Sequence, residues 1–257
     1  MRNFDRLSRV LSVCVCVMLA VTVVCAVLLG VFGPKKHLYS QKGDGTQRSS
    51  ARLDKTYEYS DTYVDFIVFY GDSTMADIKG QGLLKNDDFI LTGAYGETPL
   101  DLNTANAETD RRDADGDPQS IVLAVSDMKP QYLLITVGIE NGVAHCSEQV
   151  FKQYYSALVD SIKTASPQTK IILQSVFPVS RAVERKTPAI SNDKIDEANV
   201  WIEEIAEQHG VRYLNTAEAL KDGKGFLDPK YDRGDGIHLN EKGYRAVIQY
   251  IRSHGYK

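Results

Sequence analysis

Two short stretches far apart in the chain carry residue types that could do chemistry together. The first is Gly71-Asp72-Ser73, which follows the apolar and aromatic run Val64-Asp65-Phe66-Ile67-Val68-Phe69-Tyr70. The second is Asp235-Gly236-Ile237-His238. A serine hydroxyl is a weak nucleophile until a base takes its proton, and an imidazole suits that task. A carboxylate on the other ring nitrogen fixes the tautomer and stabilises the imidazolium that forms. Asp235 precedes His238 by three positions, so a turn can fold its carboxylate back onto the ring. Ser73, His238 and Asp235 thus provide a nucleophile, a base and an orienter suited to acyl transfer.

Each piece alone has a plainer reading. Asp and Ser are ordinary turn and cap residues. A loop histidine is more often a surface residue, and Asp-x-x-His can be a simple turn. What gives the three residues weight is the set of elements that must position them. The run 64–70 reads as a buried parallel strand, and a helix-compatible segment, 74–83, follows the turn. In such sheets ligands bind beyond the carboxyl ends of the strands, where Ser73 would stand. The helix would aim its first N–H groups at the same spot. Asn240 is a natural N-cap for a last helix over 241–253, so His238 lies in the loop that feeds it.

Between these ends the chain alternates. Further strands are expected at 89–92, 132–137, 170–176 and 211–214, and helices at 119–128, 147–165 and 191–208. Val150, Phe151, Tyr154, Leu158 and Ile162 give the second of these helices an apolar stripe, and Ser166-Pro167 stops it. Trp201, Ile202 and Ile205 give the third its apolar face, with Gly210 as its C-cap. Such alternation calls for a parallel sheet covered on both faces, a three-layer α/β/α sandwich. The acidic stretch Asp110-Arg111-Arg112-Asp113-Ala114-Asp115-Gly116-Asp117 lacks the spacing and closing glutamate of a calcium loop and reads as a solvated loop. Cys146 stands alone outside the N-terminal segment, so no disulfide or zinc pattern arises there. His37, His145 and His209 show no carboxylate partner at comparable spacing; His209 sits at a helix end, where a cation favours the dipole.

Taken together, these residues resemble the SGNH/GDSL hydrolase family of esterases and acylhydrolases, over roughly 64–253. Gly71-Asp72-Ser73 matches the family's first block and Asp235-Gly236-Ile237-His238 its fifth. Thr92-Gly93-Ala94-Tyr95-Gly96-Glu97-Thr98 provides the glycine of the second block, best at Gly96. The resemblance implies a flavodoxin-like sheet and a triad of Ser73, His238 and Asp235. It also implies an oxyanion hole formed by the N–H groups of Ser73 and Gly96 and by an asparagine side chain. The family's third block reads Gly-x-Asn-Asp, whereas this chain has Gly138-Ile139-Glu140-Asn141-Gly142. Glu140 occupies the asparagine position by count, and Asn141 follows it. A carboxylate would repel an oxyanion, whereas an amide N–H donates to it. Either the turn is one residue longer and Asn141 is the donor, which is the expectation, or the hole is incomplete. No metal and no cofactor is called for.

At 43% hydrophobic and 25% charged residues the composition is that of a globular protein. The net charge of -4 gives no sign of a nucleic-acid partner. The N-terminus has its own character. Residues 1–9 are basic and 10–32 carry no charge, long enough as a helix to span roughly 35 Å. A cleaved signal peptide has a shorter apolar core, of about 7–15 residues, and a small-x-small cleavage site, which is absent here. No lipid-attachment box precedes Cys25, because Val24 stands before it. The expectation is a cytoplasmic segment over 1–9, an uncleaved transmembrane anchor over 10–32, a polar tether over 33–60 and a hydrolase-like domain over 61–257. Arg2, Arg6 and Arg9 place the N-terminus inside and the domain outside, although Lys35 and Lys36 flank the far end. The expected substrate is a small-molecule or carbohydrate ester, with an O-acetyl group of cell-surface carbohydrate as one form. Two other readings stay open: a noncatalytic glycan-binding module, and an O-acyltransferase using the same triad.

Overall fold

The computed structural model describes residues 49–84, 89–91, 108–139, 143–144 and 146–256. The expected segments 1–9 and 10–32, most of the tether, and Gly96, Glu140 and Asn141 lie outside the described residues. Among the described residues, no helix is long and apolar enough to cross a membrane.

The chain alternates as the apolar pattern requires. In order the elements are α1 (Asp61–Val64), β1 (Ile67–Gly71), α2 (Ser73–Gly80), β2 (Phe89–Leu91), β3 (Glu108–Arg112), β4 (Pro118–Ser120) and α3 (Ile121–Met128). Then follow β5 (Tyr132–Thr136), α4 (Glu148–Ala165), β6 (Lys170–Gln174), α5 (Arg181–Lys186), α6 (Asn192–His209), β7 (Arg212–Leu214), α7 (Ala217–Leu220) and α8 (Glu241–Ser253). Among the described residues, the main sheet has five parallel strands in the order β2-β1-β5-β6-β7. Counted along the chain this is the order 2-1-3-4-5 of a flavodoxin-like doubly wound sheet, whose topological switch point lies between β1 and β5.

Successive residues of a strand face opposite sides, and both sides are buried here. In β1, Val68 and Tyr70 join one core cluster while Ile67 and Phe69 join the other. In β5, Leu133 and Ile135 oppose Tyr132 and Leu134 in the same way. Helices α3, α4 and α6 pack on the first face, and α1, α2 and α8 on the second, which completes the three layers.

Several local expectations need correction. Val64 closes the short helix α1 and does not open β1, because the charged Asp65 cannot enter a strand buried on both faces. On α4 the expected Phe151, Leu158 and Ile162 are buried and are joined by Tyr155 and Val159, while Tyr154 is half-buried and Val150 is exposed. Of the acidic stretch, Asp110, Arg111 and Arg112 belong to β3, and residues 113–117 form the turn that joins it to the antiparallel β4. This turn is self-contained: Asp113 Oδ1 accepts from the N–H groups of Asp115 and Asp117, at 3.0 and 2.9 Å. His209 does have a carboxylate partner, Asp160, 2.8 Å from its Nδ1. The cap assignments at Gly210 and Asn240 agree with the structure.

Packing on the domain begins before residue 61. Ala51 and Leu53 are buried, and Arg52 forms a parallel bridge with Tyr213 of β7. Leu53 N–H donates to Tyr213 O, and Tyr213 N–H to Ala51 O, each at 2.9 Å.

Candidate active site

The carboxyl end of β1 fixes the position of Ser73. A Cβ on Gly71 would stand 2.2 Å from Met75 Cγ and 3.0 Å from Thr136 O, so only glycine lets the strand end this close to β5 and to the helix that follows. Asp72 is buried and turns its carboxylate back on the chain, with Oδ1 accepting from Thr74 N–H at 3.1 Å and from Thr74 Oγ1 at 2.7 Å. That contact starts α2 with Ser73 as its first residue. The first N–H groups of a helix have no intrahelical acceptor, which suits them to a developing negative charge.

His238 comes from the loop before α8, and backbone contacts set that loop. Asn240 caps α8 through Gly243 N–H and donates to the carbonyls of Lys230 and Asp232. Asp232 Oδ1 accepts from Gly234 and Gly236 N–H, and Arg233 N–H donates to His238 O. Gly236 adopts φ 81°, and a Cβ there would lie 2.1 Å from Ser180 Oγ, so the loop passes directly over the start of α5. Ser180 N–H in turn donates to Gly236 O at 2.8 Å. On the other side, Tyr244 of α8 donates its hydroxyl to Thr74 O at 2.7 Å, tying the last helix to the nucleophile turn.

Within this frame the three predicted residues meet. His238 Nε2 lies 3.2 Å from Ser73 Oγ, and His238 Nδ1 lies 2.9 Å from Asp235 Oδ2. Asp235 Oδ1 accepts from the N–H groups of Ile237 and His238, at 2.9 and 2.8 Å. A carboxylate at Nδ1 makes that nitrogen the donor and leaves the Nε2 lone pair toward Ser73. Partial burial pushes the Asp235 carboxyl up. The backbone N–H groups of His238 and Ile237, the His238 ring and the Arg233 guanidinium outweigh it and hold the group well below the usual carboxylate range. The side chain therefore stays ionised wherever an imidazole can act as a base. Such an arrangement can draw a proton from Ser73 and return it to a leaving group.

Sequence reasoning missed three contributors. Arg233 touches Asp235 Oδ2 at 3.0 Å and Asp77 Oδ2 at 2.6 Å. Its only sequence signal is its place two positions before Asp235. The loop after β6 is held by buried asparagines of α6: Asn199 exchanges two hydrogen bonds with the backbone of Val176, and Asn192 two with that of Val179. Among the described residues, no cluster of side chains is arranged to hold a metal ion.

No curated protein matches the chain significantly. Solved structures share its fold, the following two among them. A Streptococcus pneumoniae protein assigned as a platelet activating factor is 19% identical, with a TM-score of 0.53 over 74% of this chain and 83% of that one. A Bacteroides fragilis protein assigned as an acylhydrolase is 15% identical, with a TM-score of 0.51 over 81% of this chain and 88% of that one. The family model for GDSL-like lipases and acylhydrolases matches residues 69–246, from the second half of β1 into α8, and so takes in Ser73, Asp235 and His238. The chain belongs to the GDSL-like lipase/acylhydrolase family.

Proposed function

We propose that this protein is a serine ester hydrolase whose triad is Ser73, His238 and Asp235. The observation that carries the reading is the unbroken contact line from Ser73 Oγ through the imidazole to Asp235. Ser73 attacks the ester carbonyl while His238 takes its proton. The family resemblance supports the N–H groups of Ser73 and Gly96 and the Asn141 amide as donors to the tetrahedral oxyanion; Gly96 and Asn141 lie outside the described residues. Collapse expels the alcohol, protonated by His238, and leaves an acyl-Ser73. Water attacks this ester with His238 again as base, releasing the acid and restoring the serine. No cofactor takes part.

The proposal extends to place. Residues 10–32 anchor the protein in the cell membrane with the domain outside, where it removes acyl groups, O-acetyl among them, from cell-surface carbohydrate. The length of the uncharged segment and the basic N-terminus support the anchor.

The test is hydrolysis of p-nitrophenyl acetate by the full chain, wild type against Ser73→Ala. Turnover that needs Ser73 supports the reading, and equal inertness of both proteins sinks it. Acyl release only after addition of a sugar acceptor would reassign the triad to acyl transfer. Asn141→Ala compared with Glu140→Ala identifies the oxyanion donor; an Asn141→Ala rate equal to wild type would remove Asn141 from the hole.

A further inference from the structure

Arg233 stands outside the line of proton transfer yet shares an atom with it. Its two terminal nitrogens go to different carboxylates: one to Asp77 Oδ2 at 2.6 Å, the other to Asp235 Oδ2 at 3.0 Å. Asp235 Oδ2 is also the oxygen that faces His238 Nδ1. Asp77 lies on α2, four positions after Ser73, so one helical turn separates the nucleophile from the far anchor of the guanidinium. The contacts therefore close a ring, from Ser73 to His238, Asp235, Arg233 and Asp77, and back along α2 to Ser73.

Two consequences follow from this ring. The guanidinium joins the loop that carries the base to the helix that carries the nucleophile, which a lysine cannot do with the same planar fork. It also places a positive charge beside the carboxylate that must stabilise an imidazolium, and a second carboxylate on its far side offsets that charge.

We propose that Arg233 is a positioning residue that acts through Asp235: it holds the carboxylate against His238, and Asp77 sets how much of the Asp235 charge the imidazole feels. The proposal rests on the triad reading above. Other charged and titratable groups at this corner are engaged elsewhere. Asp232, from the same loop, faces the N–H groups of Gly234 and Gly236. Asp72, ahead of α2, faces Thr74. Tyr244 of α8 donates to Thr74 O. Glu184 of α5 faces Asn192. Asp77 is thus the carboxylate placed to oppose Arg233 from the nucleophile's side.

The signs are opposed for two substitutions. Arg233→Met removes the charge that competes with the imidazolium, so His238 holds its proton to higher pH. Asp77→Asn leaves the guanidinium positive charge unopposed, so His238 loses its proton at lower pH. The two displacements are opposite in sign because the two removed charges are opposite in sign. Arg233→Lys keeps the charge and returns the midpoint toward wild type. The side chains of Arg233 and Asp77 are 47% and 27% exposed, so these variants should fold, and circular dichroism melts check that they do.

The experiment is an NMR titration of the His238 ring in the full chain for wild type, Arg233→Met, Asp77→Asn and Arg233→Lys, beside the pH profile of p-nitrophenyl acetate hydrolysis. The expected result is midpoints displaced in opposite directions by Arg233→Met and Asp77→Asn, and kcat lowered about tenfold in both with KM held. Midpoints that do not move, or that move together, overturn the proposal, because a merely structural clamp would loosen both variants alike. Opposed midpoints without Ser73-dependent turnover uphold the role of Arg233 and defeat the esterase reading. Ser73-dependent turnover with unmoved midpoints does the reverse.

Discussion

His238 Nε2 stands 3.2 Å from Ser73 Oγ although the two residues are 165 positions apart. If that contact is the proton path, Ser73→Ala and His238→Ala should each lower kcat by on the order of 1,000-fold or more, and the double variant should lose little beyond either one. Steady-state hydrolysis of a short p-nitrophenyl ester measures this. Additive losses would mean that the two residues do not act as a unit.

Asp235→Asn should keep the shape of the loop and lose the tautomer control. An amide can hold Nδ1 in the wrong protonation state, so kcat is expected to fall on the order of 100- to 10,000-fold. Rates close to wild type would show that the carboxylate only shapes the turn.

The same residue gives a stability signature. The folded Asp235 carboxyl titrates below its unfolded counterpart, near 3.9. Between those points the unfolded chain binds more protons. The stabilisation is therefore complete above the unfolded value and is lost as pH falls toward the folded one. The side chain is 40% exposed, so solvent screens much of the effect. Between about pH 5 and pH 2 the wild-type Tm should fall further than that of Asp235→Asn, by about 1–3 °C. Parallel Tm curves would show that the partners of Asp235 contribute nothing to folding.

Asn199 is buried, and its amide pairs with both the N–H and the C=O of Val176. Asn199→Ala leaves two buried backbone groups unsatisfied. A loss of about 2–4 kcal/mol is expected in urea unfolding. The loop it supports runs on through Val179 to Ser180, which contacts Gly236, so kcat should fall as well. Unchanged stability would place a water, and not Asn199, in charge of that loop.

Much of the fold was legible because the strands are buried on both faces. The runs that became β1, β5 and β6 are apolar almost without interruption, and each ends at a glycine or a polar residue. The hairpin β3–β4 was not legible: Glu-Thr-Asp-Arg-Arg has none of the apolar signal of a buried strand, and its pairing depends on a neighbour. Helix α5 is six residues long with no buried residue, so it leaves no periodicity to read. At the site, Asp235 and His238 were legible because a three-residue spacing is a local property. Arg233 and Asn199 were not. Arg233 joins its own loop to Asp77 on the distant α2, and Asn199 looks like any polar position on a helix until the loop after β6 is folded against it.

The pairing of residues 51–53 with β7 has a bearing on how the domain can be handled. It covers the outermost strand of the main sheet, whose backbone groups would otherwise be open to another chain. A fragment beginning at Asp61, where the hydrolase-like part was expected to start, would bare that edge at Tyr213 and should self-associate in light scattering. A fragment that retains Ser49 to Leu53 should stay monodisperse by the same measure. The short segment thus acts as a seal on the sheet, and the boundary of a well-behaved domain belongs ahead of it.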